Sequence, residues 1–197
     1  ACCATASMEI KTSAMNKLLA LLAVIALTAS CNSFKPEKNV HRLLIDRTQT
    51  LAVAESCTGG SIAARFTAMP GASAYFKGGV VAYWNQTKEL LLGISRDTIA
   101  RYGVVSEQIV RKMAEGVRHA ADAHYGIATT GIAGPSGGTP ELPVGSIWIA
   151  VSSPERTVSR LIHVNGSRNK VIRKAGTAAV ALLEEELLTE KTARYNP

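Results

Sequence analysis

The sequence predicts an α/β fold, a three-layer α/β/α sandwich. Short apolar runs alternate along the 197 residues with segments of helical periodicity, as in strands that cross over through helices. Three of these runs end in small-polar or glycine-rich turns, the usual junctions between a strand and the next element. At 47% hydrophobic content the chain can bury one sizeable core. No internal repeat or long low-complexity stretch breaks this pattern.

A helix is expected over 38–46, with Val40, Leu43 and Leu44 on one side. A buried strand over 51–54 then runs into Glu55-Ser56-Cys57-Thr58-Gly59-Gly60, and a helix follows from Ser61. Gly71-Ala72-Ser73 opens a short link to a strand over 79–83. Asn85 is placed to cap the next helix, which would put Lys88 in its first turn, pointing back to the strand ends. Ser106 caps a long amphipathic helix over 107–123, with Ile109, Val110, Met113 and Val117 toward the core. A strand over 125–130 leads into Gly131-Ile132-Ala133-Gly134-Pro135-Ser136-Gly137-Gly138. A turn over 140–143, strands over 146–151 and 158–164, and a helix over 169–188 close the domain, with a solvated tail behind it.

The domain is expected over 36–190, with 191–197 as the tail and 1–35 as tag-like residues, signal and linker. Met15-Asn16-Lys17, the apolar run 18–27 and Thr28-Ala29-Ser30-Cys31 have the layout of a bacterial lipoprotein signal over 15–30. The run is too short to span a bilayer, and Cys31 would be the lipid-anchored first residue of the mature chain. A start at Met8 or Met15 without export gives the alternative, a cytoplasmic protein.

The net charge of +7 and a pI near 9.4 suit an anionic substrate. Residues 1–35 carry Lys11, Lys17 and Lys35 against Glu9, so +2 of that excess lies outside the domain. Aromatic residues are only 5%, and no basic stripe is interleaved with them, which argues against nucleic-acid binding. The four cysteines lack metal-ligand spacing and the four histidines are dispersed, so no metal site is expected.

The turn after the first strand puts the Ser56 hydroxyl near a helix N-terminus, where free N–H groups favour an oxyanion or a phosphate. On local grounds it equally suits plain capping and tight packing. Cys57 offers a thiol at the same turn, at a position better suited to a packed, inert side chain. Lys88 and Arg168, by spacing alone, would be ordinary solvated charges.

Five segments together change that balance. AESCTGG, AYWNQTK, TGIAGPSGG, PVGSIWIA and NGSR occur in this order within 38–188. In them the chain resembles the C-terminal domain family of the competence/damage-inducible protein CinA, whose stand-alone members include nicotinamide mononucleotide amidases. Full-length CinA proteins resemble it only in their C-terminal half, so chemistry belonging to their larger N-terminal domain is not carried over. The resemblance implies an amidohydrolase that converts nicotinamide mononucleotide to nicotinate mononucleotide and ammonia, without metal or organic cofactor, in a homodimer. It favours Ser56 as nucleophile. No histidine lies in the matching motifs, so Lys88 is the expected base, with Tyr83 relaying the proton or orienting the hydroxyl. N–H groups around Thr58, Gly59 and Gly60 are the expected oxyanion donors. The loop at Gly131 and Gly134, together with Arg168, is the expected phosphate site. Ser73 and Thr130 join the site through the resemblance alone. The family's turn often reads Gly-Asp-Arg where this chain has Gly166-Ser167-Arg168. The competing expectation is a nucleotide-binding or competence-related protein that keeps the pocket without turnover.

Overall fold

A computed structural model describes residues 36–195, with side chains described to 189. The signal-like segment and Cys31 lie outside the described residues. Among these residues the elements are α1 (Pro36–Asp46), β1 (Leu51–Glu55), α2 (Ser61–Thr67), a 3-10 turn (Ala72–Ala74), β2 (Phe76–Val81), α3 (Asn85–Leu92), α4 (Arg96–Tyr102), α5 (Glu107–Ala120), β3 (Tyr125–Gly131), β4 (Ser146–Ser152), β5 (Thr157–His163) and α6 (Arg168–Tyr195). The strands form one mixed sheet in the order β2-β1-β3-β4-β5. β1 is parallel to both β2 and β3, while β3–β4 and β4–β5 are antiparallel.

The three layers follow from the side-chain period of two along each strand. Leu51 and Val53 of β1, Tyr125 and Ile127 of β3, and Ile147, Ile149 and Val151 of β4 pack with Val40, Leu44, Ile62, Phe66 and the apolar side of α6. The intervening positions are mostly small, with Trp148 of β4 the large exception. Ala52, Ala54, Ala128 and Ala150 join Leu92, Ile99, Ile109, Val110, Met113 and Val117. Large residues thus face α1, α2 and α6, and mostly small ones, with Val80 and Trp148 as exceptions, face α3, α4 and α5. Close approach is strictest at Gly126, where an added Cβ would lie 2.1 Å from the Ala114 carbonyl oxygen of α5.

Several expected boundaries shift. β2 starts earlier than the expected strand, with Phe76 opposite Leu51, and ends at Val81. The Ala82 N–H still donates to Glu55 O at 2.8 Å, but Tyr83 has left the strand. Asn85 is already helical; Trp84 occupies the cap position and makes no side-chain capping bond. Ser106 caps α5 as expected, accepting from the Ile109 N–H at 3.3 Å. α6 begins at Arg168 and runs to Tyr195, beyond the expected end. Helix α4 was not foreseen; Ser95 caps it through the Thr98 N–H and Gly103 ends it.

The tight β3–α5 contact yields a stability test. Gly126→Ala forces a methyl group against a backbone oxygen that cannot swing away, so it should destabilise the domain by about 1–3 kcal/mol. Chemical denaturation is the readout, and an unchanged midpoint would mean that α5 does not pack this closely.

Candidate active site

The C-terminal ends of β1, β2 and β3 meet at one edge of the sheet, the edge at which open α/β sheets generally bind ligands. At the end of β1, Ser56 extends the ladder by donating its N–H to Thr129 O at 3.0 Å. Glu55, only 1% exposed, turns its carboxylate onto the start of α2. It accepts from the N–H groups of Gly60 at 3.0 Å, Ile62 at 3.1 Å and Ala63 at 2.8 Å. This corrects the expected oxyanion site. The Gly60 N–H is held by Glu55 and the Gly59 N–H by Ser56 O, leaving Thr58 as the one expected donor whose N–H meets no acceptor among the described residues. The Thr58 hydroxyl pairs with Thr129 Oγ1 at 2.7 Å inside the protein and fixes the turn to β3.

Lys88 reaches back from α3, as its spacing suggested. The residue is 1% exposed, and its Nζ lies 2.6 Å from Ala82 O and 3.4 Å from Ser56 Oγ. Burial disfavours the charged amine and lowers its pKa from the ordinary 10.5. None of the ion pairs among the described residues includes Lys88. A buried amine biased toward its neutral form, within reach of a hydroxyl, can take the hydroxyl proton. Cys57 is the opposite case: burial pushes its thiol up to about 12, so thiolate is scarce at neutral pH.

Ser56 opens into a cleft of about 520 Å³. Cys57, Tyr83, residues 102–105, Gly131, Ile132, Ala133, Gly134, Ser136, Gly137, Thr139, Leu142 and Arg168 complete its lining. Arg168, at the first position of α6, donates to Gly134 O at 2.7 Å and to the Tyr83 hydroxyl at 2.8 Å. One guanidinium therefore ties the glycine loop to the segment after β2, and its remaining N–H groups can meet an anion. Tyr83 pairs with Arg168 and makes no hydrogen bond to Ser56, which corrects its expected place beside the nucleophile. Thr130 is displaced from its expected role too: it is buried and donates to Val104 O at 2.7 Å, anchoring a wall of the cleft. Ser73 is not brought to the cleft. It lies before β2, toward the opposite end of the parallel strands, and is not part of the cleft lining.

Residues 33–187 match the CinA C-terminal domain. The chain belongs to that family. Among relatives, a putative competence-damage inducible protein of Desulforudis audaxviator is 48% identical over 136 residues, covering 69% of this chain and 33% of the relative. A CinA-like protein of Thermotoga maritima is 44% identical over 156 residues, 79% of this chain and 38% of the relative. This chain thus spans about a third of the curated CinA-like relatives it matches. The crystal structure of competence damage-inducible protein A from Klebsiella pneumoniae superposes with a TM-score of 0.75 at 35% identity, over 78% of this chain and 95% of that one. A CinA superfamily protein from Escherichia coli gives 0.72 at 33%, over 76% and 87%.

For a CinA domain read from sequence alone, the unexpected site residues are those of the α4–α5 junction. Tyr102, Gly103, Val104 and Val105 form a wall of the cleft, and their signal was the cap-and-glycine pattern of Ser95, Thr98 and Gly103. From its place before the turn, Glu55 could bond the turn, bond Lys88 or contact a substrate; it bonds the turn and the helix start, through three N–H groups. Glu55→Ala would leave those donors without an acceptor inside the protein. The expected loss of stability is at least about 1.5–3 kcal/mol in urea unfolding; a loss below about 0.5 kcal/mol would show that solvent takes over the capping.

Proposed function

We propose that the chain is an amidohydrolase that converts nicotinamide mononucleotide to nicotinate mononucleotide and ammonia, with Ser56 as nucleophile and Lys88 as base. The observation that carries this is the buried Lys88 amine, 3.4 Å from Ser56 Oγ and biased toward its neutral form. Membership of the CinA family, whose stand-alone members the sequence resembles, points to the substrate. The anion-accepting features of the cleft, Arg168 and the glycine loop, suit its phosphate.

In the reaction, neutral Lys88 takes the Ser56 proton as Oγ bonds to the carboxamide carbon. The carbon–nitrogen bond then breaks, and Lys88 returns the proton to the leaving ammonia. Water attacks the resulting ester as Lys88 takes its proton, Lys88 passes that proton to the departing Ser56 Oγ, and the carboxylic acid formed loses its own proton to solvent and leaves as carboxylate. The Thr58 N–H, which has no acceptor among the described residues, would be a donor for the oxyanion. Ala82 O holds the amine in place through both steps.

A coupled ammonia assay on the full chain is the direct test. Ser56→Ala and Lys88→Ala should each lower turnover by at least about a hundredfold, and Cys57→Ala should retain it. Loss of activity in Cys57→Ala with survival in Ser56→Ala would reverse the assignment of the nucleophile. Mononucleotide binding without ammonia release would favour a binding protein instead.

The pH profile tests the base independently. Protonated Lys88 cannot accept a proton, so kcat/KM should rise with pH through the lysine's folded-state pKa and level off above it. Burial lowers that pKa, so the midpoint should fall below 10.5. A profile without an acid limb between about pH 6 and 10 would remove Lys88 from the role.

A further inference from the structure

Two aromatic side chains line the cleft, and the fold uses them differently. Tyr83 is 54% exposed but has its hydroxyl held by Arg168. Tyr102 is 41% exposed, and among the described residues its hydroxyl has no hydrogen-bond partner. Its position is nevertheless well fixed. It is the last residue of α4, and the next residue, Gly103, donates its N–H to Ile99 O at 2.9 Å. One residue further, Val104 O accepts from Thr130 Oγ1 at 2.7 Å, which ties the segment to β3. The ring is therefore carried by backbone anchored on both sides, in the same cleft as Ser56 and Arg168. It also receives a cation: the Arg101 guanidinium lies over it, 5.3 Å from the ring centroid.

We infer that Tyr102 is the specificity-determining residue for the base of the substrate, its cleft-facing side stacking on a planar cationic ring. This rests on the amidase reading above. In a pyridine mononucleotide the glycosylated ring nitrogen carries a formal positive charge, and an electron-rich phenol face attracts such a ring by stacking and by cation–π attraction. Arg168 and Tyr102 then divide recognition by charge. The guanidinium takes the anionic phosphate, and the phenol takes the cationic ring that bears the carboxamide. A neutral, non-planar amide would gain little from Tyr102.

Titration calorimetry on the full chain separates the two contributions, with nicotinate mononucleotide as a ligand that is not turned over and ribose 5-phosphate as its ringless counterpart. Tyr102→Ala should weaken the mononucleotide about three- to thirtyfold and leave ribose 5-phosphate within about twofold. Tyr102→Phe keeps the ring face and should restore mononucleotide affinity to within about twofold of the parent. Arg168→Ala should weaken both ligands, and unchanged melting temperatures would show that the variants are folded. Parent-like mononucleotide binding by Tyr102→Ala, equal weakening of both ligands by it, or failure of Tyr102→Phe to restore binding would each overturn the inference while leaving the amidase reading in place. No binding of nicotinate mononucleotide by the parent chain would overturn the inference, whereas no ammonia release from nicotinamide mononucleotide would overturn the amidase reading on which it rests.

Discussion

A buried carboxylate is tolerated only where donors replace the water it has lost, and at Glu55 those donors are the first N–H groups of α2. The arrangement serves both partners. The helix start has a glycine at its cap position and no side-chain cap of its own, so Glu55 does from the end of β1 what a capping serine or aspartate would do locally. Strand and helix are thereby clamped with only the short Ser56–Gly60 turn between them. The same contact occupies the positive pole of that helix end with a negative group. Across the cleft, the guanidinium of Arg168 lies against the glycine loop through Gly134 O.

Around that clamp, the cleft is assembled by polar contacts that each join distant parts of the chain. Lys88 binds α3 to the end of β2 through Ala82 O and approaches Ser56. Arg168 joins the start of α6 to Tyr83 and Gly134. Thr58 and Thr129 link the turn to β3, and Thr130 links β3 to Val104. The side chains on β3 thus alternate in purpose along its final residues, with Thr129 steadying the turn after Ser56 and Thr130 steadying the opposite wall.

Much of this was legible in the sequence because periodicity and turn chemistry are local signals. The strand ends that carry Ser56 and the glycine loop could be read from apolar runs stopping at glycines, and Lys88 from its position in the helix after β2. Partner choice was not legible. Nothing local tells whether the Tyr83 hydroxyl will meet Ser56 or Arg168, and the sheet geometry that decides it joins residues 85 positions apart. Thr130 was read as a contact for substrate for the same reason, since its bond to Val104 depends on where the α4–α5 junction folds back. Ser73 shows the converse limit: a motif places a residue in sequence order, whereas only strand direction shows which end of the sheet it occupies. Helix α4 escaped because seven residues are too few to establish a helical period.

The sheet order has a consequence for how the cleft comes into being. β1, early in the chain, is paired between β2 and β3, and the cleft draws on positions from 56 to 168. No contiguous stretch holds the site, so a growing chain leaving the ribosome carries Ser56 and Lys88 long before the Gly134 loop and Arg168 exist to enclose them. Truncation before α6 would remove Arg168, its tie to Tyr83 and the helix covering one face of the sheet together. The enclosed cleft therefore arrives late and as a unit, so its presence reports complete folding rather than the folding of any one segment.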